Sequence, residues 1–351
     1  MSTDLFVTGM IRSGTSLVQV LLTNHPDAFV AYQPFHQLYV ATKARFLAEA
    51  GLARLLPMSD GFGDRSDEPA AFRHWLENRT FSAHEAAEIA TDAVLGKGGS
   101  CPELSGRLPV TPGGFHQLRD QLLAGLANHF GAGERHVTGS KEVLCEEYLP
   151  TLADHGSRVL VVVRDPRGTV ASAGSGSYLH LVGDRYPVLM LVRLWRKSVG
   201  IALAHQDSAH VRRVRYEDVA TDPADQLGAV AEWLGLPAFP DGAFSGPLLD
   251  HRGEVWVGNS SYGPKQGVDA GSTTGWVDSL DPKVAEFVQA TCLPELEALG
   301  YPVSLTPAQA RRVIESFTEE EVGVRPSYLE LYRLDDERRA EEVERLEPST
   351  A

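Results

Sequence analysis

Positive charge, cysteine and long apolar runs are all scarce in this chain. With 32 Lys and Arg against 47 Asp and Glu, the formal net charge is −15, which argues against a general nucleic-acid binder, because phosphate-backbone affinity comes from clustered cations. Any anionic ligand must therefore be met by local positive charge. The three cysteines, Cys101, Cys145 and Cys292, stand far apart without C-x-x-C spacing, so neither a disulfide framework nor a zinc site is indicated. A reducing cytoplasm and no metal are the expectations. No uninterrupted apolar stretch reaches ~18 residues, and no basic segment with a cleavage site opens the sequence; no export signal and no membrane span are expected. What remains, 43 % hydrophobic and 23 % charged residues over 351 positions, is the composition of a globular protein with a full core, in one large domain or two.

One further absence is more informative. Residues 5–8 are an apolar run that ends in GMIRSGTS at positions 9–16. The spacing is that of a Walker A loop, G-x-x-x-x-G-K-[ST], in which the lysine reaches the β/γ-phosphates and the hydroxyl holds magnesium. Gly9 and Gly14 are correctly placed, but Thr15 stands where the lysine belongs, and the cation has moved inside the loop to Arg12. The pattern left is a nest of backbone N–H groups at a helix N-terminus, suited to an anionic phosphate, to which Arg12 adds a planar fork of donors. Taken alone, such a turn also fits a plain tight connection.

Periodicity places a strand at 4–8, a helix over 16–24 stopped by His25 and Pro26, and a second strand at 28–32. Residues 38–130 read as mainly helical, broken by surface loops at 59–67 and 96–114. Strands are predicted at 137–140, at 158–163, the strongest apolar run in the chain, and at 211–216. Helices are predicted from Pro166, over 186–205, and from the Asp222-Pro223 start to 234. Short strands alternating with helices give an α/β fold, a parallel sheet flanked by helices on both faces. Residues 304–351 read as an acidic helical tail, a solvated or partly disordered end or else a partner-docking helix.

A second site lies about 150 residues beyond the first. VVVRDPRGTVAS at 161–172 puts Arg164 at the end of a buried strand, where α/β sheets carry their ligand groups, and Ser172 near the following helix. The two are candidates to grip a second phosphate. With this pair of motifs the chain resembles the sulfotransferases that use 3′-phosphoadenosine 5′-phosphosulfate (PAPS) over residues 4–303. The loop variant is most similar to those of tyrosylprotein and many bacterial sulfotransferases.

The resemblance implies a P-loop-type sulfotransferase domain at 1–303, with the helical insertion at 38–130 forming the acceptor side. It implies PAPS as donor, 3′,5′-ADP as product and no metal. Arg12, Ser13, Gly14, Thr15 and Ser16 match the loop that holds the 5′-phosphosulfate, and Arg164 and Ser172 the 3′-phosphate site. Tyr216, in VRYED at 214–218, matches a tyrosine beside the adenine; read without the resemblance it is a core or strand-end aromatic. Trp276, in GSTTGW at 271–276, resembles a late segment that closes over the nucleotide, although its second glycine comes one place late. Asp269 and Ala270 replace the basic pair usual before it, and Lys265 is a substitute. Lys141 matches a lysine that supports the departing bridging oxygen.

Sulfuryl transfer needs cations at that oxygen, here Arg12 and Lys141, and a base at the acceptor. Gln33 stands where tyrosylprotein sulfotransferases carry a glutamate, and an amide cannot take the proton; Val143 stands where cytosolic members carry a histidine. His36 and Glu142 are the nearby replacements, with His180 a more distant one. Each also has a plain reading, as a packing histidine or a solvated carboxylate. Alternatively, an easily ionised acceptor needs little base. The predicted reaction moves the sulfuryl group of PAPS to a hydroxyl or amine of a small-molecule or carrier-bound acceptor, such as a bacterial natural product, glycan or lipid. An ATP- and magnesium-dependent P-loop kinase, or a nucleotide-binding homologue without turnover, remain the alternatives. Oligomeric state and the acceptor are not written in the sequence.

Overall fold

The computed structural model describes residues 2–52, 57–58, 68–95, 101, 104, 107–108, 110–174, 179, 182–258 and 267–346. Its centre is a parallel sheet of five strands, β1 (Thr3–Thr8), β2 (Ala28–Tyr32), β5 (Val137–Lys141), β6 (Arg158–Val163) and β7 (Val211–Arg215), in the order β2-β5-β1-β6-β7. β1 sits in the middle. It aligns Val7 with Lys141 on one side and Leu160 on the other. The apolar runs predicted to be strands are buried on both faces: five of the six residues of β6 are buried, as parallel sheets require.

Helix α1 (Thr15–Thr23) follows the loop after β1, and α2 (His36–Glu49), α3 (Glu68–Asn78), α4 (Ala83–Leu95) and α5 (Phe115–His129) form the expected helical insertion. One detail differs from the sequence reading. Gly113–Gly114, assigned to a loop, pairs as strand β4 with β3 (Thr80–Phe81) in a two-residue antiparallel ribbon. The insertion is fixed to the sheet by Arg119 of α5, which is buried and donates to both carboxylate oxygens of Asp4 on β1 and, at 3.0 Å, to the Tyr39 hydroxyl on α2.

Beyond the short helix α6 (Leu149–Asp154), α7 (Pro166–Ala173) begins as its sequence dictates. Asp165 caps it by accepting from the Arg167 N–H, and Pro166 takes the first turn. The long helix α8 (Val188–Ala204) packs beside it, and Trp195 of α8 donates to the Arg164 carbonyl at 2.8 Å. After β7 come α9 (Tyr216–Thr221) and α10 (Pro223–Trp233), the latter capped by Asp222 as its Asp-Pro start predicts. Tyr216, read as the last strand residue, instead opens α9. Later come α11 (Trp276–Ser279), α12 (Pro282–Thr291) and α13 (Leu293–Ala298).

The tail departs from a solvated end. α14 (Pro307–Ser316) buries Ala310 and Ile314, and α15 (Pro326–Tyr332) buries Leu329 and Tyr332. α16 (Asp336–Glu344) buries Glu342, whose carboxylate accepts from Arg193 and Arg196 of α8. The misreading has a physical cause. A single carboxylate among many was matched to two half-buried guanidinium groups that lie far away in sequence. Among the described residues, no helix is long and apolar enough to cross a membrane, and no group of three or more His, Cys, Asp or Glu could hold a metal ion.

Candidate active site

The loop between β1 and α1 folds as a nest because two of its glycines adopt backbone angles closed to most side chains. Gly9 has φ 157 and Gly14 φ 93. A Cβ on Gly9 would stand 2.4 Å from the Val162 carbonyl of β6, and one on Gly14 would stand 2.1 Å from the Tyr216 ring. Gly14 caps α1 without a side-chain hydrogen bond, and the first turn of that helix carries no acidic residue. The positive end of α1 is thus left for a ligand.

The two distant motifs meet at this loop. Arg12 donates from Nε to the Ser172 hydroxyl at 3.1 Å. Arg164 donates to the Arg12 carbonyl at 3.0 Å and to the Ser272 carbonyl at 2.9 Å, and its guanidinium lies 4.5 Å from the centre of the Tyr216 ring. Tyr216, itself buried, shares a hydrogen bond between its hydroxyl and that of Ser272. Trp276 carries the Arg167 guanidinium 4.5 Å over its ring, and Arg167 is in turn fixed by the Asp165 carboxylate at 2.7 Å. Thr15 and Ser16 are buried in the first turn of α1. Sequence reasoning therefore chose residues that the fold gathers, and it missed Ser272. That serine carries no motif signal of its own beyond its place between Gly271 and Trp276. Lys265 and His180 lie outside the described residues.

Whether a phosphate-bearing donor fits can be tested on atoms left unsatisfied. Thr8 Oγ1, Ser13 Oγ and Arg164 Nε are buried without a hydrogen-bond partner. Buried polar atoms of that kind are costly unless a ligand completes them. All three lie in or beside the loop, and two of them are hydroxyls able to donate to an anion. The residues present fit the 5′-phosphosulfate and 3′-phosphate of PAPS.

Lys141 ends β5 next to this cradle. It is 1 % exposed, donates to Gln33 Oε1 at 2.9 Å, and holds its ammonium 3.8 Å over the Tyr32 ring. Burial, with help from the Arg12 charge, pushes its pKa down to about 7. The next residue, Glu142, is fully buried and accepts the Phe35 N–H at 2.9 Å, and burial pushes its carboxyl up to about 8. His36 opens α2 with Nδ1 3.7 Å from Glu142 Oε2, which is too long for a hydrogen bond. Burial and the Lys141 charge push the imidazole down to about 4, so near pH 7 His36 is neutral and this contact is not an ion pair. Of the two candidate bases, His36 retains 15 % side-chain exposure and Glu142 none. Only the former can touch an acceptor.

A nest at the C-terminal edge of a parallel sheet, two arginines at its rim and a tyrosine pressed against its glycine define an α/β protein of the P-loop class with a candidate phosphate site. Comparison with known proteins narrows the class. Residues 113–241 match the family described as "Sulfotransferase family". Carbohydrate sulfotransferase 1 of Rattus norvegicus is 24 % identical over 358 residues, covering 91 % of this chain and 84 % of the relative. Carbohydrate sulfotransferase 5 of Homo sapiens is 25 % identical over 335 residues, covering 83 % and 75 %. The solved sulfotransferase domain from the curacin biosynthetic pathway shares the fold at 16 % identity and a TM-score of 0.50, over 87 % of this chain and 99 % of that domain. The chain thus resembles sulfotransferases twice over, in the family match at 113–241 and in its likeness to the carbohydrate sulfotransferases along most of its length.

Proposed function

We propose that this protein transfers the sulfuryl group of PAPS to an acceptor hydroxyl and releases 3′,5′-ADP. The observation that carries the reading is the contact of Arg12 with Ser172, which makes one continuous anion site of two motifs 160 residues apart. A triphosphate enzyme would need a lysine at Thr15, and a donor with phosphates at both ends needs both halves of the site. The carbohydrate sulfotransferases among the relatives favour a saccharide hydroxyl as acceptor.

In this reading the S–O bond to the 5′-phosphate breaks as the acceptor oxygen bonds to sulfur, and the bond's electron pair stays on the departing phosphate oxygen. Arg12 and Lys141 stabilise the charge that grows there. His36, neutral near pH 7, takes the acceptor proton, and the imidazolium so formed stands 3.7 Å from the Glu142 carboxyl. Arg164 and Ser172 hold the 3′-phosphate, and Tyr216 lies beside the adenine. A reducing cytoplasmic location, suited to three buried cysteines outside any disulfide, belongs to the same proposal.

Isothermal titration separates this from the kinase alternative. 3′,5′-ADP is expected to bind without metal, and ATP with or without magnesium to bind at least ~10-fold more weakly, a difference of about 1.4 kcal/mol. Tight ATP binding with none for 3′,5′-ADP would sink the proposal. For the homologue without turnover, the deciding measurement is sulfation of a saccharide acceptor, in which Lys141→Ala lowers rate more than donor affinity.

A further inference from the structure

The chemistry above leaves Gln33 without a part, although it touches Lys141 twice. Its backbone N–H donates to the Lys141 carbonyl at 2.8 Å, and its side-chain Oε1 accepts from the Lys141 ammonium at 2.9 Å. To do both it takes a left-handed backbone, φ 39. Among the described residues only two other non-glycine positions have positive φ, Arg12 and Leu144, and they follow β1 and β5 as Gln33 follows β2. Strain of this kind persists where the surrounding structure demands it, and it gathers at sites that act.

The groups facing Lys141 explain why an amide suits this place. Arg12 approaches from the loop after β1, Glu142 and Cys145 from the segment after β5, and His36 from the start of α2. Burial holds Glu142 toward its neutral form, the Cys145 thiol is likewise pushed up, and His36 is neutral near pH 7. Tyr32 supports the ammonium through its ring face at 3.8 Å. A carboxylate at position 33, within 2.9 Å of the ammonium, would form an ion pair with Lys141 and compensate its charge. An amide oxygen fixes the direction of the ammonium and leaves its charge uncompensated.

We propose that Gln33 is a positioning residue that clamps Lys141 at main chain and side chain and keeps it a directed cation without a counter-charge. The role rests on the reading of Lys141 as the cation at the departing oxygen, but the clamp itself is measurable on the protein alone. Six lysines in the whole chain make 13C-lysine labelling practical, and the Lys141 ε-CH2 signal is identified by its loss in Lys141→Met. Two variants bracket the idea. Gln33→Asn keeps a residue that tolerates a left-handed backbone while drawing the amide out of reach; Gln33→Glu keeps the reach and adds the charge. Loss of an acceptor disfavours the charged amine, and a carboxylate favours it. The Lys141 titration midpoint should therefore fall in Gln33→Asn and rise in Gln33→Glu, each by about one pH unit or more. A residue that merely shapes the turn would leave both midpoints within about 0.3 unit of the parent, and that result, or movement of both in one direction, overturns the proposal. Failure of the parent protein to bind 3′,5′-ADP in calorimetry would instead remove the donor assignment and leave the titration result standing.

Discussion

A methyl group at position 14 would have nowhere to go. Gly14 turns the loop into α1 with φ 93, and the face where a Cβ would sit is occupied by the Tyr216 ring at 2.1 Å. The same atom-sized gap thus serves the turn and the fit of the ring beside the donor site. Gly14→Ala adds backbone strain of about 1–3 kcal/mol and pushes the ring away from the cradle. The expected outcome is a lowered Tm together with at least ~10-fold weaker 3′,5′-ADP binding by calorimetry, since about 1.4 kcal/mol already accounts for a factor of ten. Gly200→Ala on α8, where a Cβ would meet nothing within 4 Å, is the matched control and should leave binding unchanged.

At the scale of elements, the tail is held to the body by charge as much as by apolar packing. Glu342 is 1 % exposed and answers two arginines of α8, Arg193 and Arg196, while Arg345 pairs with Glu295 of α13. Removing one partner of a buried ionic cluster leaves the others uncompensated, at a cost of about 3–5 kcal/mol. In denaturant titration Glu342→Ala should lower the unfolding free energy by that order, and Glu330→Ala, on an exposed face of α15, should not. This docking also marks where the sequence stops being readable. The apolar run at 158–163 could be recognised as a strand because burial on both faces leaves its record in consecutive residues. The loop at 9–16 was equally clear, since its glycine spacing is imposed by backbone geometry. Which carboxylate of a charged segment meets which arginine is decided by packing between segments far apart, and nothing local encodes it. The same limit applies inside the site. Arg12, Lys141, Arg164, Ser172 and Tyr216 each stood out by motif, whereas the links through Ser272 and the grip of Gln33 on Lys141 exist only once separate strands lie side by side.

For the whole molecule, two neighbouring titratable groups set a working range of pH. Turnover in the proposed mechanism needs His36 neutral and Lys141 charged. His36 is held down to about 4 and Lys141 down to about 7, so kcat/KM should rise as pH passes about 4 and fall as it passes about 7. An anionic donor favours the charged lysine, so the basic limb of kcat should lie at higher pH than that of kcat/KM. A pH profile on a saccharide acceptor checks both limbs, and a basic limb unaffected by donor binding would contradict the part assigned to Lys141.

The central place of β1 has a consequence for how the molecule is made. Both of its neighbours, β5 and β6, lie more than a hundred residues further along the chain. During synthesis, the strand that bears the donor loop emerges early and stays bare along both edges until much later segments arrive. Pairings of such long sequence separation form slowly, and unpaired apolar edges invite association with other chains. The residues of the donor cradle are therefore among the last to be brought together, although the loop precedes in sequence the strands that complete it. A nascent chain ending before β6 carries the whole loop and none of its function.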